Sequence, residues 1–198
     1  MSVHVYKKAI RALGISESFV KGVSERSILA GVVMRGDISI DGFTISRATV
    51  GGMDTTEKII EMYRSLKRND INLLLLNGCV ISWYNVIDLY KVFEETGRPL
   101  ICVTYEESKG LEEYFKELFP QDWQQRVEIY HKNGPRIPLK LHTDFIVYVR
   151  SLGMSKKETE VILNRFTLQG AVPEPLRVSR LLARSLMRSI SPEPKINS

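Results

Sequence analysis

Leu73-Leu74-Leu75-Leu76-Asn77-Gly78 decides the fold. Four consecutive leucines leave no polar side to a pleat, so the run reads as a strand buried on both faces, and the polar Asn77-Gly78 pair ends it abruptly. In an open α/β sheet, ligands and catalytic groups collect in the crevice outside the carboxyl ends of such strands. Asn77 is therefore a candidate site residue, although Asn-Gly also suits an ordinary strand-to-helix turn.

On the near side of this strand, Asp54-Thr55-Thr56-Glu57 has the spacing of a capping box. Ile59, Ile60, Met62, Tyr63 and Leu66 continue it as a helical apolar face that ends near Arg68-Asn69. On the far side, residues 83–95 are expected to form a helix ended by Gly97, and 99–104 the next strand. This β-α-β-α-β order needs parallel strands and right-handed crossovers. Before it, residues 9–15, 27–35 and 38–50 read as three strands of an antiparallel meander linked around Gly22 and Gly36-Asp37. Three antiparallel strands followed by parallel β-α-β units, with helices on both faces, predict a ribonuclease H-like mixed sheet. Residues 111–118 read as a helix, 145–149 as an apolar segment that fits either a strand or a helix, and 156–165 as an amphipathic helix opened by Ser155. A last helix runs from Pro173-Glu174-Pro175 to about Ser189, where Pro175 suits the first turn.

The 198 residues are 43% hydrophobic, enough for one domain over 1–190 with its own core, followed by an expected disordered tail at 191–198. No apolar stretch approaches the ~20 residues of a membrane span, and His4, Lys7 and Lys8 do not resemble a secretory signal, so a cytoplasmic location is expected. Cys79 and Cys102 lack metal-site spacing and are expected to be buried and reduced. Charge is uneven. Residues 71–130 carry 5 Lys/Arg against 10 Asp/Glu, whereas 131–198 carry 12 against 5, an excess of positive charge that permits a polyanionic partner.

Gly14-Ile15, Val33-Met34-Arg35-Gly36, Asp54-Thr55-Thr56-Glu57-Lys58, Leu76-Asn77-Gly78, Asn85-Val86-Ile87-Asp88 and Pro173-Glu174-Pro175-Leu176-Arg177, in this order, resemble the archaeal endonuclease V-like family called endonuclease dU. The resemblance spans residues 9–187, and the last motif is also similar to the C-terminal region of endonuclease V. It implies a DNA-repair nuclease, a hydrolase acting on deaminated, uracil-containing DNA with Mg²⁺ or Mn²⁺ held by carboxylates at strand ends. Such ions take hard oxygen ligands and activate water while neutralising developing charge. Carried onto this chain, the catalytic positions are Ser16, Glu17, Asp54 and Asn77, with Glu17, Asp54 and Asn77 as the metal set.

The chain departs from the family pattern at the acids. Gly14-Ile15-Ser16-Glu17 stands for Gly-Ile-Asp-Asp, Leu76-Asn77-Gly78 for Leu-Asp-Gly, and Val50-Gly51-Gly52 for Val-Asp-Gly. Cleavage is therefore expected to be weak or lost, and the alternative function is a degenerate paralogue that binds nucleic acid or a protein without cutting. Asp54 is a helix cap, a metal ligand or both. Arg35 is read as a salt-bridge partner of Asp54 or a phosphate contact. Arg177, Arg180, Arg184 and Arg188 recur along one helix face opposite Val178, Leu181, Leu182 and Leu186, as a stripe for phosphates or a solvated face. Ser179-Arg180 replaces the Ala-His of relatives. Trp83 and Tyr84 fit either stacking on an unpaired base or packing. Asn85 and Asp88, three apart on the expected helix, suit orienting a ligand or capping backbone groups. The partner expected is DNA, single-stranded or deaminated, with a homodimer left open, and no role is assigned to His131 or His142.

Overall fold

Strand β1 (Arg11–Ser18) lies near the middle of the sheet and organises it. It pairs antiparallel with β2 (Arg26–Arg35), which pairs antiparallel with β3 (Ile40–Thr49), forming the expected meander. On its other side β1 is parallel to the leucine strand β4 (Leu73–Asn77), which is parallel to β7 (Leu100–Thr104). Helix α1 (Thr55–Ser65) connects β3 to β4, and α2 (Leu89–Thr96) leads into β7. The computed structural model describes residues 7, 9–107 and 110–190, so the expected tail at 191–198 lies outside the described residues.

Two expectations need correction. Residues 83–86 are not helical: β5 (Val80–Ile81) and β6 (Asn85–Val86) form a small hairpin whose turn residues Ser82, Trp83 and Tyr84 all have left-handed φ, 48°, 60° and 63°. A right-handed helix cannot pass through such a turn. Helix α2 instead starts after Asp88, whose carboxylate accepts from the Lys91 N–H at 3.0 Å, and Gly97 at φ 62° ends it as read. Helix α1 stops earlier than its apolar pattern suggests, with Lys67 left-handed beyond it. The segment 145–149, left open between strand and helix, is a strand from Ile146 on: β9 (Ile146–Leu152) is antiparallel to β7, and the proline-bearing stretch before it contains β8 (Ile137–Lys140). Pro138 is tolerated because β8 is an edge strand. The seven-stranded order is β3-β2-β1-β4-β7-β9-β8, so two antiparallel strands extend the parallel core.

Alternation along β1 and β4 divides the core into layers. Leu13, Ile15, Leu74 and Leu76 face α1 and α2, with Phe115 of α3 (Glu112–Leu118) and Tyr130 of α4 (Trp123–Lys132) in the same cluster. Ala12, Leu73 and Leu75 face α5 (Lys156–Phe166) and Leu176 of α6 (Glu174–Ile190). Ser155 opens α5 with a complete capping box to Glu158. Helix α6 lies across β1 and β2, and Gly14 lets it approach closely: a Cβ there would stand 2.5 Å from that of Pro175. Among the described residues no helix is long and apolar enough to cross a membrane.

Candidate functional site

Because β1, β4 and β7 are parallel, their carboxyl ends open onto one rim, joined there by the start of β2 and the end of β3. Ile15 pairs with Leu76, so Ser16 and Asn77 follow on adjacent strands, and alternation directs both toward the α5–α6 layer. Ser16 is 1% exposed. Its hydroxyl donates to the Leu176 carbonyl at 3.0 Å and accepts from Ser179 Oγ at 2.8 Å, which closes it against α6. Glu17 points to the opposite face and does not take the place of Ser16. There it accepts from the Ser82 N–H, and its Oε2 is buried without a hydrogen-bond partner among the described residues. Burial drives the Glu17 carboxyl above its usual pKa, against the Ser82 hydrogen bond and the Arg184 charge.

Asp54 occupies the N-cap position of α1, yet its carboxylate makes no cap bond. It turns instead to the backbone N–H of Thr49 (3.0 and 3.1 Å), the Thr49 hydroxyl (2.9 Å) and Asn85 Nδ2 (2.9 Å). The cap acceptor is supplied from another element: Asn85 Oδ1 takes the Thr55 N–H at 3.3 Å, while Glu57 is drawn away to Lys91. Asn85 therefore lies on β6 and braces Asp54, rather than sharing a helix face with Asp88. Burial opposes ionisation of Asp54, but the hydrogen bonds from Asn85 and Thr49 outweigh it and hold the carboxyl below its usual pKa.

Arg35 is at the far rim, because antiparallel β2 ends there, and it bonds to Asp37 at 2.8 Å. Arg26, at the near end of the same strand, reaches Asp54 at 3.9 Å. Arg126, which carried no signal in the sequence, is 2% exposed and fixes the rim from below. It donates to the carbonyls of Gly51 (2.8 Å), Gly52 (3.1 Å) and Tyr84 (2.7 Å) and to both Asp122 oxygens, with its guanidinium 3.8 Å from the Phe119 ring centre. Tyr84 packs against Tyr114, Phe115 and Phe119.

Beyond Asn77 opens a cleft of about 360 Å³, lined in part by Thr104, Tyr105, Tyr130, Arg136 and Arg150. Cys79 in its wall is a free, buried thiol 3.2 Å from Arg150 Nη1, and Cys102 is likewise free and buried. On α6 the stripe that meets the sheet is Leu176, Ser179, Ala183 and Met187, whereas Leu181 is exposed. Arg184 and Arg188 are exposed, Arg180 borders the buried stripe near Tyr105, and Arg177 bonds Glu174 through Nε at 2.8 Å. His131 and His142 bond to Glu112 and Asn164.

The residues present do not fit the Mg²⁺ or Mn²⁺ set that the resemblance implies. Ser16 and Asn77 bring no negative charge, and the Ser16 hydroxyl is committed to α6. Asp54 is saturated with donors, and the strands beside Glu17 and Asp54 are separated by β2, about 10 Å from axis to axis. No group of three or more His, Cys, Asp or Glu side chains among the described residues is placed to hold a metal ion.

A family model described as endonuclease dU matches residues 8–187. A UPF0215 protein of Pyrobaculum calidifontis is 34% identical over 180 residues, covering 90% of this chain and 98% of its own. Among solved structures, a protein of unknown function from Archaeoglobus fulgidus has a TM-score of 0.77 at 27% identity, over 90% of this chain and 98% of that one. Endonuclease V of Ciona intestinalis, in complex with a 24mer DNA containing an inosine followed by a ribo-adenosine, has a TM-score of 0.64 at 14% identity, over 93% and 88%. At that identity the likeness speaks for the fold, which is the ribonuclease H-like one expected from the strand order.

Proposed function

Since the chain belongs to the endonuclease dU family and has the fold of endonuclease V, we propose that it is a nucleic-acid-binding member of that family which engages deaminated, uracil-containing DNA with little or no cutting. The observation that carries this reading is the closure of Ser16 between Leu176 and Ser179, with Asn77 beside it on the next strand. The strand ends where the resemblance puts paired carboxylates present a hydroxyl and an amide, and Arg180 stands where it puts a histidine. Arg184 and Arg188 remain exposed on the same helix and suit phosphate contacts.

The test is strand scission of a labelled duplex with one deoxyuridine, run beside a binding assay. Wild-type protein is expected to bind without appreciable cleavage. The Ser16→Asp, Asn77→Asp pair is expected to gain cleavage with Mg²⁺ or Mn²⁺, because it returns two negative charges to adjacent strand ends. Robust wild-type cleavage that disappears in Asp54→Ala would overturn the reading in favour of an intact nuclease. A second reading is favoured by the orphaned Oε2 of Glu17, a buried acceptor suited to a cation. In that reading residual metal affinity is centred on Glu17.

A further inference from the structure

The β5–β6 turn has no role in this reading, and its backbone is strained. Ser82, Trp83 and Tyr84 are consecutive non-glycine residues in the left-handed region, where the Cβ crowds the following carbonyl oxygen. Such strain persists only where the surroundings over-determine it, and they do so here. Ser82 Oγ lies 2.6 Å from Ser27 Oγ, its carbonyl accepts from Gly51 N–H at 2.8 Å, and Arg126 holds the Tyr84 carbonyl. Tyr84 packs against Tyr114, Phe115 and Phe119, and Trp83, partly buried, meets Tyr84 edge-on with ring centres 5.3 Å apart.

Trp83 forms one wall of a second cavity, of about 310 Å³, completed by Phe19, Lys21, Gly22, Ser24 and Val50. This cavity is separate from the Asn77 cleft and shares no lining residue with it. Its size is at the lower end of the ~300–1,000 Å³ range of small-molecule sites, enough for one planar ring system. The Lys21 ammonium stands 4.2 Å from the Trp83 ring centre. An aromatic ring, a second aromatic in the wall and a cation at the ring are the elements with which proteins hold an unpaired base and its phosphate.

We infer that this cavity binds one unpaired nucleobase of single-stranded nucleic acid, stacked on Trp83, with Lys21 meeting the adjoining phosphate. The inference rests on nucleic acid being the ligand of this rim, and it adds the strand state recognised and the residue that reads it. Through Ser82 and Asn85 the turn is tied to Glu17 and Asp54, so a base seated here fixes the register of its strand relative to those acids.

The chain has two tryptophans, so the Trp123→Phe variant isolates the emission of Trp83. Titration with an oligothymidylate of about twelve nucleotides is expected to quench that emission, and inorganic polyphosphate to leave it unchanged. In otherwise wild-type protein, Trp83→Leu is expected to weaken oligothymidylate binding roughly 5- to 150-fold, the range of one stacked base, and Trp83→Phe to retain most of it. Quenching by polyphosphate equal to that by oligothymidylate, or binding without quenching, would overturn the inference, and so would full single-strand affinity in Trp83→Leu. Duplex binding that persists while these signals are missing would sink this inference alone. Absence of binding to every nucleic acid would sink the proposed function with it.

Discussion

Glu17 shows how one side chain records a conflict between family and chain. It stands at the second of the two acidic positions in the family pattern, one residue past Ser16, and alternation turns it to the other face, where one carboxylate oxygen has a donor and the other has none. Its folded pKa is raised above the ordinary 4.5. Between 4.5 and that folded value the native state keeps a proton the unfolded state has released, so Glu17 lowers stability as pH rises through this window. Glu17→Gln is therefore expected to raise the melting temperature at pH 7 and to lose that advantage below pH 4.5. Thermal unfolding of both proteins across this range checks it. The same assay with added Mn²⁺ separates the two functional readings: stabilisation of wild type that vanishes in Glu17→Gln would support a retained cation, and no stabilisation would remove that reading.

Among the elements, the β5–β6 hairpin and α4 are joined by Arg126. Replacing it with Met keeps bulk but leaves three carbonyls and Asp122 without their shared donor, and should cost about 3–5 kcal/mol, as for other broken buried charge networks. A urea midpoint that moves by less than about 1 kcal/mol equivalent would show that water replaces the guanidinium. This region also marks where the sequence was legible and where it was not. Leu73 to Leu76 declared a central strand because burial on both faces is a local property of four residues, and Gly97 declared a helix end because its φ is. The residues 83–95 carried helical spacing, but the turn answers to Ser27, Gly51 and Arg126, which are distant in sequence. Asp54 matched a capping box through its spacing to Glu57, and it fails to form one because Thr49 and Asn85 offer its carboxylate more donors than the helix end does. Asn77 and Ser16 were visible as strand ends, but the partners that commit Ser16 come from a helix 160 residues away.

At the scale of the whole molecule, the acidic middle of the chain and the basic last third meet across the sheet, and α6 presents its arginines at different degrees of freedom. Arg177 is paired with Glu174, whereas no ion pair or hydrogen bond involves the Arg184 guanidinium at a resolved distance among the described residues. If α6 tracks phosphates, Arg184→Ala is expected to flatten the salt dependence of DNA affinity by about 0.7–0.9 in log–log slope, and Arg177→Ala by less. Equal slopes in wild type and Arg184→Ala would assign the stripe to solvent. The seating of Pro175 over Gly14 has a consequence in time. A ribosome adding about 5–20 residues per second makes β1 on the order of 10–30 s before the helix that covers it. For that interval Ala12, Ile28 and Ala30 have no lid, and the rim is among the last parts of the protein to come into being.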